Sequence, residues 1–416
     1  MTKTITLLAS GTRGDVQPYL ALGLGLRAAG YAVRIATHVR FAAAAEQLDL
    51  PVAALADNPS DLFARPGGEQ ALRWRGNPVQ NLRATLHYWR DARPLFARLI
   101  DSAWQACLGS DAIIIGLPTL WGSHIADALI VPCLRCLLQP LTPTREFPSP
   151  LLPFKFSLGR WYNRLAHTAV EQAIWQSWRG AVNRWRRETL HARSAGWLIH
   201  SDHLPTLYGF SPIVVPRPAD WSSNQYITGY WTLPQPDWIP PANLLSFLKA
   251  GPPPLYVGFG SPTLGRPREI LQVIRQALEA SSSRAILLMP RNIDEVLWPD
   301  SIFPVVDVPH DWLFPQTVGV VQHGGAGTTG AALRSGVPTI VLPHAIDQFF
   351  WGSRVAALGA GPRPIPLDTL TADQLAGAVR QISHDPVMRA NAQALGQALS
   401  REDGVAAAVA IIQSLV

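Results

Sequence analysis

Between Thr317 and Gly336 the chain passes through three kinds of residue in a fixed order. Thr317 to Val321 (TVGVV) is apolar and β-prone, Gln322 to Thr329 reads QHGGAGTT, and Gly330 to Ser335 is a helix-like run stopped by Gly336. That order predicts a strand, a glycine-rich turn and a helix N-terminus. Such a turn offers backbone N–H groups and roughly half a unit of positive charge to an anion. His323 adds a side-chain donor, and Thr328 and Thr329 add hydroxyls. The set suits a diphosphate; the alternative is a glycine-rich connection that holds no ligand.

Strand-like and helix-like runs alternate through the rest of the chain. Thr4–Ala9, Ala32–Thr37, Asp111–Gly116 and Val131–Leu138 read as strands. Gly11 to Pro18 (GTRGDVQP) reads as a loop, and Tyr19–Ala29 and Trp121–Leu129 as helices. Gly229 to Pro241 holds four prolines and little periodicity, which is a linker composition. Alternation then restarts, with strands at Leu255–Phe259, Ala285–Met289, Val305–Val308 and Pro338–Leu342 and a helix at Pro267–Ala280. A chain of 416 residues exceeds what one hydrophobic core supports. The expected fold is α/β, with two doubly wound domains whose carboxyl-end loops face a central cleft. Their expected bounds are 1–235 and 236–395, with 396–416 a closing helix free to pack back on the first domain.

Charge and cysteine usage exclude several classes. The net charge of +6 is matched by residues 155–193 alone, which hold eight Lys/Arg against two Glu. The rest of the chain is balanced, so a uniformly basic nucleic-acid binder is disfavoured. No run of about 18 apolar residues occurs, and Met1 to Ser10 is too short and polar for a signal peptide. Three cysteines build no disulfide framework, so a reducing cytoplasm is the expected location. Cys133 and Cys136 form a C-x-x-C within an apolar run and lack a second pair; buried structural cysteines are expected.

Four strand ends of the second half carry chemistry. They are Gly258-Phe259-Gly260-Ser261, Val308-Pro309-His310, the QHGGAGTT turn with Gly325 and Gly327, and Asp347-Gln348. Strand ends of one parallel sheet converge on one crevice. A nucleoside diphosphate fits it, with the base near Val308 and His310 and the phosphates on the glycine turn.

On these residues the chain resembles the inverting UDP-sugar-dependent glycosyltransferases of the GT-B fold, the sterol glucosyltransferase branch and the related antibiotic-type enzymes above all. The matching stretches are Gly11–Pro18, Phe259–Ser261, Pro309–Pro315, Gln322–Thr329 and Val337–Gly352. The family usually has two histidines where this chain has Gln322-His323, and His323 matches the one on the donor diphosphate. The resemblance implies Asp15 as the base that takes the acceptor hydroxyl's proton, with His124 a second polar group beside the acceptor. The alternatives are an Asp15 that caps the following helix and a His124 in the core or on the surface. For the donor it implies contacts from Gly14, Ser261, Val308, His310, His323, Gly325, Gly327, Thr328, Asp347 and Gln348. Asp347 and Gln348 would bind the sugar hydroxyls, which favours a glucose-like sugar, while Asp347 could equally cap a helix. No Asp-x-Asp pair occurs, so leaving-group stabilisation is expected to be metal-free, with UDP-sugar a co-substrate and no cofactor. The acceptor would be a sterol, terpenoid or polyketide. A nucleotide-sugar epimerase on this scaffold and a catalytically silent lipid-binding protein are the other readings.

Trp161, Leu165, Ala169, Gln172, Trp175, Trp178, Val182 and Trp185 recur at steps of three and four, which predicts one helical face. Arginines surround it. The spacing fits a core-facing helix with a solvated basic side. A basic amphipathic helix with Trp is also the pattern of a peripheral membrane contact, which 155–193 would then supply.

Overall fold

A computed structural model describes residues 2–64, 78–152, 158–199, 203–235, 237–259, 267–289 and 298–416. The chain divides into two compact units, Met1–Leu233 with Asp403–Val416, and Pro234–Glu402.

The first unit contains strands β1 (Thr4–Ala9), β2 (Ala32–His38), β3 (Val52–Leu55), β4 (Ala112–Ile115), β5 (Cys133–Leu137), β6 (Thr206–Tyr208) and β7 (Gln225–Ile227). Its helices are α1 (Arg13–Ala28), α2 (Val39–Glu46), α3 (Pro78–Cys107), α4 (Ser123–Leu129) and α5 (Arg160–Glu188). Among the described residues the strands form one parallel sheet in the order β3-β2-β1-β4-β5-β6-β7. Its strand β4, AIII, is apolar throughout and fully buried, because helices cover both faces of the sheet. Leu8, Ile113 and Ile115 pack on one side against Leu99 and Ala103 of α3, Ile125 of α4, and Trp175 and Trp185 of α5. Cys107, Cys133 and Cys136 are free thiols, and burial pushes the first two up to about 12.

Helix α1 starts earlier than Tyr19, the expected first helical residue. The expected loop Gly11–Pro18 is helical from Arg13, and Pro18 sits inside the helix. Asp15 explains the difference: its carboxylate folds back on Thr12, the residue before the first turn, and fixes the helix start ahead of the proline.

The second unit runs α6 (Ala242–Lys249), β8 (Leu255–Gly258), α7 (Pro267–Ala280), β9 (Ala285–Leu288), β10 (Ile302–Val305), α8 (His310–Leu313), β11 (Gly319–Gln322), α9 (Ala326–Arg334), β12 (Thr339–Val341), α10 (Gln348–Ala357), α11 (Ala372–His384) and α12 (Pro386–Leu399). Its sheet is parallel, ordered β10-β9-β8-β11-β12 among the described residues. The strand expected at Val305–Val308 lies three residues earlier, at Ile302–Val305. Leu255 and Val257 face α7 and α11 through Ile274, Leu278, Val379 and Ile382, and Tyr256 between them faces Leu244 and Phe314.

The last helix, α13 (Gly404–Leu415), belongs to the first unit. Asp403 caps it by accepting from Ala406 N at 2.9 Å. A Cβ at Gly25 of α1 would stand 2.5 Å from Val405, so that glycine lets the two helices approach. Among the described residues no helix is long and apolar enough to cross a membrane.

Candidate functional site

In each sheet the strand order reverses direction once, between β1 and β4 in the first unit and between β8 and β11 in the second. Open α/β sheets bind ligands at the carboxyl ends of the strands at such a switch point.

At the first switch point Leu8, Ser10, Asp15, Tyr19, Gly116 and Cys136 line a small pocket. Asp15 is the third residue of α1. Its Oδ2 accepts from Thr12 N at 2.7 Å and Thr12 Oγ1 at 2.8 Å, so the carboxylate is both helix cap and pocket wall. Gly11 makes room: its φ is +121°, and a Cβ there would stand 2.5 Å from Asp15 Oδ2. Burial raises the Asp15 pKa, outweighing the two Thr12 hydrogen bonds and the charge of Arg40.

The loop before Asp15 is held from outside. Arg40 Nη2 donates to the Gly11 carbonyl at 2.5 Å and Asn58 Nδ2 donates to it at 2.7 Å. Ser10 Oγ meets Nε2 of the buried His38 at 2.8 Å. Burial, reinforced by Arg40, pushes His38 down to about 4, so it is neutral here. Tyr19 donates from its hydroxyl to the Cys136 carbonyl. None of these partners is marked by a local motif, since β2, α2 and the turn after β3 supply them from far along the chain.

His124 is not among the residues lining that pocket. It lies on α4 with its ring 5.2 Å from that of Trp175. Its Nε2 is buried and has no hydrogen-bond partner among the described residues. Burial and then Arg186 push it down to about 4. Gly14 is exposed in the first turn of α1.

At the second switch point β11 leads into the glycine turn. Gly325 is the residue before α9, and that helix has neither a side-chain cap nor an acid in its first turn. Its first N–H groups therefore lack intrahelical partners. Gly324 has φ +98°, and a Cβ on it would meet Gln348 O at 2.7 Å. A Cβ on Gly325 would meet His323 Nε2 at 2.6 Å, while one on Gly327 would meet nothing within 4 Å. Gln322 braces the turn from beneath: Gly324 N donates to its Oε1 at 2.6 Å, and its Nε2 donates to Thr329 Oγ1 at 3.0 Å. Thr329 is thus spent on the brace, and Thr328 is the half-buried hydroxyl of the first turn.

His323 stands beside this helix end with a buried Nδ1 that has no hydrogen-bond partner among the described residues. Burial, then His344 and His310, push it down to about 3. It is a neutral imidazole with one N–H to give. His310 stacks on Phe314 at 4.4 Å, and its Nε2 lies 3.3 Å from the Tyr256 hydroxyl. The Val308 side chain is buried in the core with Tyr256 and Phe314, which leaves its backbone for any ligand contact. Ser261 lies outside the described residues.

Asp347 precedes α10 without a side-chain cap, contrary to the capping alternative. Its Oδ2 accepts from the indole of the buried Trp351 at 3.0 Å. Gln348 Oε1 accepts from His344 N at 2.8 Å and Ala345 N at 3.1 Å, which turns the amide nitrogen away from that loop. Ile346, at φ +49°, is a β-branched residue in the left-handed region, so this turn is strained.

Comparison with known proteins agrees with this layout. Residues 5–148 match the Glycosyltransferase family 28 N-terminal domain, and residues 283–410 match the Erythromycin biosynthesis protein CIII-like C-terminal domain. The glycotransferase of kitacinnamycin has the same fold, with a TM-score of 0.72 at 20% identity over 100% of this chain and 99% of that one. The glycosyltransferase SnogD from Streptomyces nogalater matches at a TM-score of 0.65 and 20% identity over the whole of both chains. The two parallel sheets are thus those of the GT-B fold. A sterol 3-beta-glucosyltransferase of Arabidopsis thaliana is 35% identical over 97% of this chain and 67% of its own length. That of Aspergillus terreus is 36% identical over 98% of this chain, which spans 30% of the fungal protein. That of Cryptococcus neoformans is 34% identical, and the chain spans 27% of it. With two thirds of the plant protein covered at that identity, the chain belongs to the family that contains these sterol 3-beta-glucosyltransferases.

Proposed function

We propose that the protein is an inverting glycosyltransferase that moves a hexose, glucose in the first instance, from a UDP-sugar to a hydroxyl of a sterol-class acceptor. The observation that carries this reading is the uncapped N-terminus of α9 with the unpartnered Nδ1 of His323 beside it. That end would receive the diphosphate and stabilise the charge that develops on it as the glycosidic bond breaks, without a metal. Asp347 and Gln348 would hold the sugar hydroxyls. The Asp15 carboxylate would accept the acceptor's proton as the new C–O bond forms. Desolvation fits Asp15 to this task, because a raised pKa makes a stronger base. We place the enzyme in the cytoplasm, in peripheral contact with a membrane that holds its acceptor.

Asp15→Asn tests the base. Asparagine keeps an oxygen for Thr12, so the start of α1 survives. Transfer to cholesterol should fall by ~10² to ~10⁴, the usual worth of a general base, while UDP affinity is unchanged. UDP release should require acceptor. In the parent enzyme the rate should fall on the acid side with a midpoint above the ordinary 3.8 of an aspartate. Wild-type turnover in the variant removes Asp15 from this role.

A further inference from the structure

Helix α5 is buried on one side only. Trp175, Val182 and Trp185 are in the core. Near its start, however, Trp161 is 77% exposed and Leu165 67%, with Leu158 exposed just before it. Trp197, 67% exposed, and Leu198 lie over the same face further along. Gln176 Nε2 donates to the Trp197 carbonyl at 2.6 Å, and the Arg179 guanidinium sits 3.9 Å over the Trp197 ring. Residues 161 and 179 are 18 apart, five whole turns, so they share a face and lie about 27 Å apart at 1.5 Å per residue.

We propose that this outer face of α5, with the 196–198 segment, docks the protein on a lipid bilayer carrying anionic headgroups. The proposal deepens the reading above, since a sterol-class acceptor resides in a bilayer. Tryptophan and leucine seat at the headgroup boundary, and arginines beside them meet lipid phosphates. Arg160 and Arg164 flank the exposed apolar residues, and Arg145 stacks 4.6 Å over Trp161. The acids nearby are turned to other work. Glu171 faces the buried Arg135 at 3.9 Å, Asp220 accepts from Thr144 Oγ1 and Arg145 N, and Glu146 accepts from Ala219 N. A second copy of the chain is the poorer occupant, because a two-fold interface would set these arginines against themselves.

Sedimentation with vesicles tests this, using phosphatidylcholine alone and phosphatidylcholine with about a quarter phosphatidylserine. The wild-type protein should favour the anionic vesicles roughly tenfold or more at low salt and lose that preference near 0.5 M salt, where screening is strong. Trp161→Ala with Leu165→Ala should weaken binding roughly tenfold on both vesicles. Arg160→Gln with Arg164→Gln should remove the preference for phosphatidylserine. Both double variants should turn over cholesterol in detergent micelles within about twofold of wild type and fall behind with cholesterol in anionic vesicles. Equal wild-type binding to both vesicles, or unchanged binding by the Trp161/Leu165 variant, overturns the proposal. So does a dimer in analytical ultracentrifugation that this variant dissolves. Absence of turnover in micelles by the wild type would count against the glycosyltransferase reading and leave the vesicle result standing.

Discussion

Each unit sets a helix N-terminus at its switch point, after β1 in the first and after β11 in the second, and the two ends carry opposite electrostatics. At the β1/β4 switch point the residue before α1 is Thr12, and the third helical residue is Asp15, whose carboxylate folds back on Thr12. At the β8/β11 switch point the residue before α9 is Gly325 and its third helical residue is Thr328, with no acid in the turn. The first end supplies its own anion and presents it to a pocket. The second is left open for an anion from outside. Fold alone assigns neither role; a few residues of each first turn do.

After Asp15 itself, the largest loss of turnover expected from disturbing the first helix end comes at Gly11. Gly11→Ala would put a Cβ 2.5 Å from Asp15 Oδ2 and force φ +121° on a residue that disfavours it. The backbone strain alone costs about 1–3 kcal/mol. Turnover should drop about 10- to 100-fold through the displaced carboxylate, on the general-base scale, with UDP affinity intact. Steady-state kinetics beside UDP calorimetry reads this directly.

A smaller effect, on the other unit, is expected from Gln322→Leu. It leaves Gly324 N and Thr329 Oγ1 unpaired beneath the glycine turn. Unsatisfied buried groups cost about 1–3 kcal/mol each. The KM for UDP-sugar should rise several-fold and the melting temperature should fall, with little change in the acid limb of the rate. An altered acid limb would mean that Gln322 acts on Asp15 instead.

The smallest change belongs to His124→Phe. His124 is held near 4 in the folded protein against an ordinary 6.5, as are His38 and His167. Below pH 6.5 the unfolded chain binds protons that these buried rings do not take up until about pH 4, so stability should fall as pH drops through that window. Removing one such histidine should flatten the slope by up to ~1.4 kcal/mol per pH unit. If His124 only packs on Trp175, neutral-pH turnover stays within twofold; a tenfold loss restores it to the acceptor site.

How far these sites could be read beforehand depended on whether the signal was local. Apolar runs such as AIII and LYVG, short and rich in β-prone residues, read as buried strands, and QHGGAGTT carries its turn and helix start in adjacent residues. The start of α1 is less legible, because the bonds from Thr12 to the Asp15 carboxylate that fix it ahead of Pro18 lie within a glycine- and proline-containing stretch that reads as a loop. The support of the Asp15 loop was invisible, since Ser10, His38, Arg40 and Asn58 meet only once β1, β2 and β3 are in register. The tryptophan stripe was half right for a geometric reason. From Trp161 to Trp185 it takes seven steps over 24 residues, about 3.4 per step against 3.6 per turn. The stripe therefore winds around α5, leaving Trp161 outside and burying Trp185.

The contrast between the two helix ends is tested most directly by UDP titration calorimetry on Thr328→Asp beside Thr328→Asn. The two variants differ by one charge at the position in α9 that Asp15 occupies in α1. A carboxylate a few ångströms from a diphosphate costs on the order of 4 kcal/mol at an effective dielectric constant near 20. The aspartate variant should therefore bind UDP at least about 100-fold more weakly than the asparagine variant. Affinities within about twofold of each other would contradict the assignment of the diphosphate to the open end of α9.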